Sequence, residues 1–346
     1  MEEHNFPKET ELTIVSVYHN SLSKRLLELN YDLTCRLNPD ITLRWLVGDN
    51  TSANFTDTID AAKFTVVRNP RDYGGLGSHQ HAGAINECLT HVQTRFVVSL
   101  DSDFYILRQE WIHEVTTYMQ DHNLAFFGVT YHARDYVKYR YFPCVVCVFV
   151  DLEKVGGVGG LDFFPEIEIS VLGKAVHKEK IFDKKNKTFR KKIKRFIPGS
   201  LAFFAGRVMR TLSMTSRRLA IATGRDTSYR IFAHYGHDPT YRREYVRTVF
   251  DPDTDVSLVG RLWMPLNRLI ERLLPDRLCY VPKRKDSYTD TAFKDLGYAD
   301  LGANGWEEYM WQGAPFGTHI RGSKTWKRNP SEDDEVSTIR KMLAMF

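Results

Sequence analysis

The 346-residue chain is short of cysteine, of long apolar runs and of internal repeats, and each shortage removes a class of protein. Five cysteines (Cys35, Cys88, Cys144, Cys147, Cys279) are too few and too scattered for a disulfide framework, which points to a reducing compartment. No apolar stretch approaches the ~18 residues of a membrane-spanning helix, and Phe142–Val150, among the most apolar, is far too short. Met1–Glu11 is polar and carries four glutamates, so a signal peptide is not expected. What is present, 42% hydrophobic and 26% charged residues, is a globular composition that excludes a disordered, collagen-like or coiled-coil chain. The expectation is a soluble, cytoplasmic protein, with peripheral attachment to a membrane surface left open. The length suits one large domain or two modest ones.

The net charge of +5 is not evenly spread. Lys178–Arg195 holds ten Lys and Arg against Glu179 and Asp183, a local balance of +8 that leaves −3 for the remainder. Ile181, Phe182, Phe189, Ile193 and Phe196 interleave with these cations, and Arg207, Arg210, Arg217 and Arg218 extend the positive region. Three readings stand: a solvated loop that orders over a ligand, a contact for an anionic partner (nucleic acid phosphates or a bilayer surface), or a protein contact.

Along the chain, strand and helix patterns alternate. Leu12–Tyr18 is a β-branched apolar run of strand length, followed by Leu22, Leu26, Leu29 and Leu33 at helical spacing. Thr42–Val47 reads as a second strand ending at Gly48-Asp49-Asn50, and Phe64–Val67 as a third. A glycine-rich turn, Asp72–Gly77, leads into a helix with Ile85, Cys88, Leu89 and Val92 on one face and Ser78 as its N-cap. Phe96–Leu100, a fourth strand, runs into Asp101-Ser102-Asp103. This order predicts an α/β fold, a mostly parallel sheet flanked by helices, with ligands beyond the carboxyl ends of its strands. Asp49, the Gly74–Gly77 turn and the Asp101–Asp103 pair all fall at such ends. Further on, the pattern predicts a helix near Trp111–His122, a strand at Cys144–Asp151, an irregular basic insertion over 161–223 and a helix at Leu262–Leu274. Gly297–Gly322 reads as loop built over a site, and Ser331–Phe346 as a terminal amphipathic helix.

In extended backbone, side chains at i and i+2 share a face, so Asp101 and Asp103 point the same way. Two carboxylates converging at the end of an apolar strand repel unless a cation neutralises them. Hard oxygen ligands suit Mg²⁺ or Mn²⁺, which share their coordination with substrate phosphates. The bland alternative is a solvated turn with two acids. Cys144-x-x-Cys147 lies in an apolar strand where i and i+3 diverge, so a shared zinc is not expected and burial is.

The span Leu12–Asp103 resembles the nucleotide-sugar-binding half of a GT-A fold glycosyltransferase of family 2. The resemblance rests on Val15-Ser16-Val17-Tyr18, Val47-Gly48-Asp49, the run Tyr73-Gly74-Gly75-Leu76-Gly77 with its following helix, and Asp101-Ser102-Asp103, in that order. It implies Val17 and Tyr18 against the nucleotide base and Asp49 accepting a hydrogen bond from it. It places Gly74 and Gly75 at the donor, Asp101 near ribose or metal, and Asp103 on the ion bridging the diphosphate. The sequence departs from the pattern in two places: the acidic cluster after the second strand is reduced to Asp49-Asn50, and His79 and His81 flank the position where the family often has arginine.

Two further segments are similar to the family. Asp151–Gly157 is like its V-G-G segment, and Gly224-Arg225-Asp226-Thr227 like the acidic motif that follows. Asp226 is then the general base of an inverting transfer, though a helix N-cap or first-turn acid fits as well. Glu166, Glu168 and Asp162 are competitors that match no family position. In Pro315–Gly322, His319 resembles a C-terminal histidine that completes the metal site, and Arg321 and Lys324 could meet phosphate oxygens. The bland reading of His319 is a surface loop histidine.

The expected protein is a GT-A catalytic domain over 1–260, with a nucleotide-sugar half at 12–103 and an acceptor half at 104–260. A C-terminal extension, 261–346, closes over the active site. The expected reaction is Mn²⁺- or Mg²⁺-dependent, inverting transfer of a sugar from a nucleoside-diphosphate donor, UDP-linked, to a hydroxyl acceptor. A polyanionic or membrane-associated acceptor would engage Lys178–Arg195, and modified nucleic acid is one such acceptor. The rivals are a nucleotidyltransferase of similar fold and a non-catalytic nucleotide-sugar-binding module.

Overall fold

The computed structural model describes residues 12–52, 55, 57–69, 73, 77–132, 139, 141–165, 227–250, 287–288, 306–320 and 332–345, with positions 262, 265, 269 and 293. The first half follows the alternation read from the sequence: β1 (Leu12–Tyr18), α1 (Ser21–Leu37), β2 (Arg44–Asp49), β3 (Thr65–Arg68), α2 (Gly77–Leu89) and β4 (Phe96–Leu100). Then come β5 (Phe104–Ile106), α3 (Trp111–Asp121), β6 (Phe126–Val129), β7 (Cys147–Asp151), α4 (Tyr229–Tyr235) and β8 (Arg243–Val249). The chain ends with β9 (Ser287–Tyr288), β10 (Glu307–Trp311), β11 (Ala314–His319) and α5 (Glu332–Leu343).

Among the described residues, eleven strands join one sheet, in the order β3-β2-β1-β4-β7-β6-β8-β10-β11-β5, with β9 beside β8. The run β3-β2-β1-β4 is parallel, because α1 and α2 carry the chain back between strands. Beyond β4 the sheet is mixed: β4–β7, β6–β7, β8–β10, β10–β11 and β11–β5 pair antiparallel, while β6–β8 is parallel. The parallel pairing expected for most of the sheet is found where βα units alternate, and the antiparallel pairs lie beyond β4.

The central strands are near-continuous apolar runs because both faces are covered; β1 and β4 are buried at every residue. Burying one such Val or Leu contributes about 1.5–3 kcal/mol relative to leaving it in water. Some polar groups inside are paired across strands. The Ser16 hydroxyl donates to the Leu100 carbonyl at 2.6 Å and accepts from the Trp45 indole at 3.0 Å, tying β1, β2 and β4 together. At the start of α1, Asn20 and Ser23 cap each other's backbone N–H groups, which fixes where the helix begins. Helix α2 presses close to β2. A Cβ at Gly48 would lie 2.8 Å from the Ala84 methyl, so only glycine allows this approach.

Three expectations need correction. Ser78, expected as the N-cap of α2, lies inside the helix, which starts at Gly77. The strand read at Cys144–Asp151 begins only at Cys147: the Cys147 N–H donates to the Cys144 carbonyl at 3.2 Å, a turn, and both cysteines are buried. The loop read over Gly297–Gly322 contains the β10–β11 hairpin. Its turn residues Gln312 and Gly313 both have positive φ (52° and 76°), the tight geometry that suits the right-handed twist of paired strands. Helix α5 matches the terminal helix read from the sequence, with Val336, Ile339 and Leu343 buried on one face. Among the described residues no helix is long and apolar enough to cross a membrane.

Candidate active site

A cavity of about 440 Å³ opens at the carboxyl ends of β1 and β4. Val17, His19 and Asn50 line one side, Gly77, Gln80 and His81 the start of α2, and Asp101–Asp103 and His319 face them, with Tyr131, Val145, Val146 and Thr227 completing the wall. This is the edge where an α/β sheet leaves room for a ligand, since the βα turns diverge there.

Asp101 and Asp103 arrive on the loop that leaves β4. The Asp101 N–H donates to the Val146 carbonyl at 2.9 Å, and the Asp101 carbonyl accepts from the Phe104 N–H at 3.0 Å. These bonds turn the chain tightly into β5. His319 ends β11, whose pairing with β5 sets it opposite Phe104. The next residue seals the junction: the Ile320 N–H donates to the Asp103 carbonyl at 2.9 Å. One ligand atom from each of Asp101, Asp103 and His319 then lies within 4.8 Å of the others. His319 Nε2 is 3.4 Å from an Asp103 carboxylate oxygen, and His319 Nδ1 is 2.9 Å from Glu307 Oε2.

The electrostatics follow from this crowding of acids. Burial works to lower the pKa of His319, but Asp103 and Glu307 on its two sides outweigh it, and the imidazole is held well above its ordinary range. His19 goes the other way: burial, then the neighbouring His81, lower its pKa against the pull of Asp103. His81 Nε2 is 3.5 Å from Asp101. A divalent cation would satisfy the same demand that the His319 proton meets. Two carboxylates and one imidazole form a mixed oxygen–nitrogen donor set, which suits Mn²⁺ and, through its oxygens, Mg²⁺. The residues present fit such an ion.

Beside the cavity, Tyr18 and Asp49 are partners in the β1–β2 register. Burial and the adjacent Asp49 carboxylate push the Tyr18 phenol up to about 12. Asp49 accepts from both the backbone N–H and the hydroxyl of Thr51, at 2.8 and 2.7 Å. Val17, Asp101, Asp103 and His319 therefore share one cavity, while Tyr18 and Asp49 stand next to it. Gly74, Gly75, Asp226, Arg321, Lys324, Glu166, Glu168 and the basic run Lys178–Arg195 lie outside the described residues. Asp162 is engaged elsewhere: it pairs with Arg230 at 2.7 Å and accepts from the Phe164 N–H at 2.9 Å. His79 stands in an aromatic group with Tyr73 and Phe164, ring centroids 6.5 and 6.2 Å away.

Three further participants emerge from the tertiary arrangement. His19 was one residue past the strand motif and carries no motif of its own. Thr227 lines the cavity and donates to the Ser78 carbonyl at 3.2 Å, joining α2 to the segment before α4. Glu307 is 1% exposed and faces His319 across the hairpin. Only the register of β10 against β11 makes that pair, though the turn residues Gln312-Gly313 could have signalled a hairpin.

Among solved structures, similarity is found to the mannosyltransferase PcManGT from Pyrobaculum calidifontis in complex with GDP-Man and Mn²⁺, at 16% identity over 42% of this chain and 46% of that one, TM-score 0.32. It is also found to S. aureus TarS 1-349 in complex with UDP-GlcNAc, at 15% identity over 36% of each chain, TM-score 0.26. The chain thus spans less than half of either protein, and at such scores neither carries an argument about this one. No curated protein sequence matches the chain. Residues 13–209, more than half of the sequence, match the profile of glycosyl transferase family 2. With its α/β sheet and acidic strand-end site, the chain belongs to glycosyl transferase family 2.

Proposed function

We propose that the protein transfers a sugar, with inversion, from a nucleoside-diphosphate donor, UDP-linked, to a hydroxyl acceptor, and that it needs Mn²⁺ or Mg²⁺. One observation carries this reading: Asp101, Asp103 and His319 converge within 4.8 Å inside a cavity at the carboxyl ends of the parallel strands.

The residues divide the work by position. Val17 lies against the base, with Tyr18 and Asp49 supplying the polar contact at its edge. Helix α2 begins at Gly77 on the cavity wall. The positive end of its helix dipole favours the charge of the diphosphate, beside Gly74 and Gly75, which precede it in the sequence. Asp101, Asp103 and His319 hold the ion, which when bound offsets the negative charge that grows on the departing diphosphate. The imidazole tilts this donor set from Mg²⁺ towards Mn²⁺. Arg321, immediately after the Ile320 that bonds Asp103, adds a cation for the phosphate oxygens.

Inversion requires a carboxylate on the opposite face of the sugar, within reach of the acceptor hydroxyl, to take its proton as the new bond forms. Asp226 is assigned that role, and support comes from its sequence neighbour Thr227, which lines the cavity. The catalytic domain is taken as 1–260 and the extension as 261–346; that the extension supplies His319 supports its closing over the site. The acceptor is read as polyanionic or membrane-associated, engaging Lys178–Arg195. Vesicle flotation against mobility shift with nucleic acid, each across a salt series, separates those two classes.

The deciding test of the main reading is a thermal-shift screen of nucleoside-diphosphate sugars with and without Mn²⁺. Stabilisation by a UDP-sugar only when the metal is present is the expected result. Equal response with and without metal, for every donor, sinks it.

A further inference from the structure

We propose that Glu307 is a positioning residue of the metal centre: it takes the Nδ1 proton of His319 in a hydrogen bond and so turns Nε2 towards Asp101 and Asp103. This rests on the reading that Asp101, Asp103 and His319 hold a divalent ion.

Glu307 is an unusual residue to find where it is. It is 1% exposed, in a strand that is buried along its whole length. An ionised carboxylate in such a place is costly unless partnered. Its partner is set by backbone geometry. Glu307 and His319 are direct neighbours in the antiparallel β10–β11 register, so both side chains leave the same face of the hairpin. The register is locked locally, because the Thr318 hydroxyl donates to the Glu307 carbonyl at 3.0 Å.

The atoms then assign the proton. Glu307 Oε2 receives the Tyr309 hydroxyl at 3.1 Å and stands 2.9 Å from His319 Nδ1. An ionised carboxylate only accepts, so the Nδ1 atom is the donor. With Nδ1 so engaged, Nε2, the atom 3.4 Å from Asp103, is the one whose lone pair an ion would take in place of its proton. Carboxylate, histidine and ion in line is the arrangement that orients a histidine ligand and raises its basicity. Tyr309, two residues along the same strand, holds the carboxylate in turn. A family-type metal site assembled from Asp101, Asp103 and His319 is thereby given a rigid back wall.

The test measures Mn²⁺ affinity directly, by electron paramagnetic resonance, in the wild type, Glu307→Gln, His319→Ala and the double variant. The wild type should bind Mn²⁺, and Glu307→Gln should bind it about tenfold more weakly or worse, the usual cost of removing such a partner. In the His319→Ala background, Glu307→Gln should cause no further loss, because Glu307 acts only through that ring. If the wild type binds no Mn²⁺, the metal-site reading falls and this proposal with it. If the wild type binds and Glu307→Gln binds equally well, or weakens binding as much without His319 as with it, only the role of Glu307 is overturned. Should Glu307→Gln fail to fold, ¹⁵N NMR of the wild type with Mg²⁺ decides. A proton on Nδ1 of His319 supports the proposal, and a proton on Nε2 overturns it.

Discussion

The Asp103 carboxylate and the His319 imidazole stand 3.4 Å apart because β5, which begins one residue after Asp103, pairs with β11, which ends at His319. The Ile320-to-Asp103 backbone bond, 2.9 Å long, closes the same corner. Two segments from opposite ends of the chain thus meet through main-chain pairing. Rigid strand ends, rather than mobile loops, carry both ligands, and such supports hold a metal site to tolerance.

Asp103→Asn should abolish high-affinity Mn²⁺ binding and slow sugar transfer by at least about a hundredfold, since stabilisation of the leaving diphosphate is lost. Initial rates together with Mn²⁺ titration check this. Unchanged metal affinity in the variant would remove Asp103 from the site.

Asp226→Asn separates sugar transfer from nucleotidyl transfer. Loss of a general base should cut kcat by about 10²–10⁴-fold while the donor binds as before. Calorimetric donor titration alongside turnover provides the comparison. A variant that keeps its turnover removes Asp226 from the reaction and moves the base elsewhere.

Gly48→Ala should destabilise the fold by about 1–3 kcal/mol, because overpacking forces α2 away from β2. The new methyl would sit 2.8 Å from the Ala84 methyl and 3.3 Å from Val17 Cγ2. Urea denaturation measures the loss, and Ala84→Gly in the same chain should restore part of it. No recovery in the double variant argues that the Ala84 contact is not the cause.

Asp162 gives a pH dependence of known sign. Burial works to raise its pKa, but Arg230, the Phe164 N–H and Asn86 together hold it below the ordinary 3.8. The folded state therefore binds this proton less readily than the unfolded chain does. Its contribution to stability is present above about pH 4 and disappears as the pH falls through the depressed value. Asp162→Asn should be less stable than the wild type at pH 6 and equally stable near pH 2. Because both partners are partly exposed, the gap should be small and should shrink in salt. A gap that persists undiminished in acid would assign the effect to packing instead.

What could be read from the sequence is what is written locally. The β1–α1–β2 alternation shows in Leu12–Tyr18 and in the leucine spacing of α1, because strand and helix periods are properties of neighbouring residues. Asp101 and Asp103 announce themselves because an i, i+2 acidic pair after an apolar strand needs no distant partner to be odd. His319 stands out by its glycine-rich setting, yet nothing local marks the strand that it ends. Glu307 could not be picked out, since nothing within its own neighbourhood distinguishes it from its neighbour Glu308.

The sequence by itself determined the α/β class, the strand-end location of the acids and the family. The tertiary structure decided the mixed second half of the sheet, the hairpin that carries His319, and the pairing of that histidine with Asp103 on one side and Glu307 on the other. The reason is physical. Periodicity and turn chemistry act over a few residues, whereas the β5–β11 pairing joins segments far apart in the chain; within the β10–β11 hairpin, whose register shifts between Tyr309 and Met310, a slip of one residue would turn Glu307 away from the imidazole it faces.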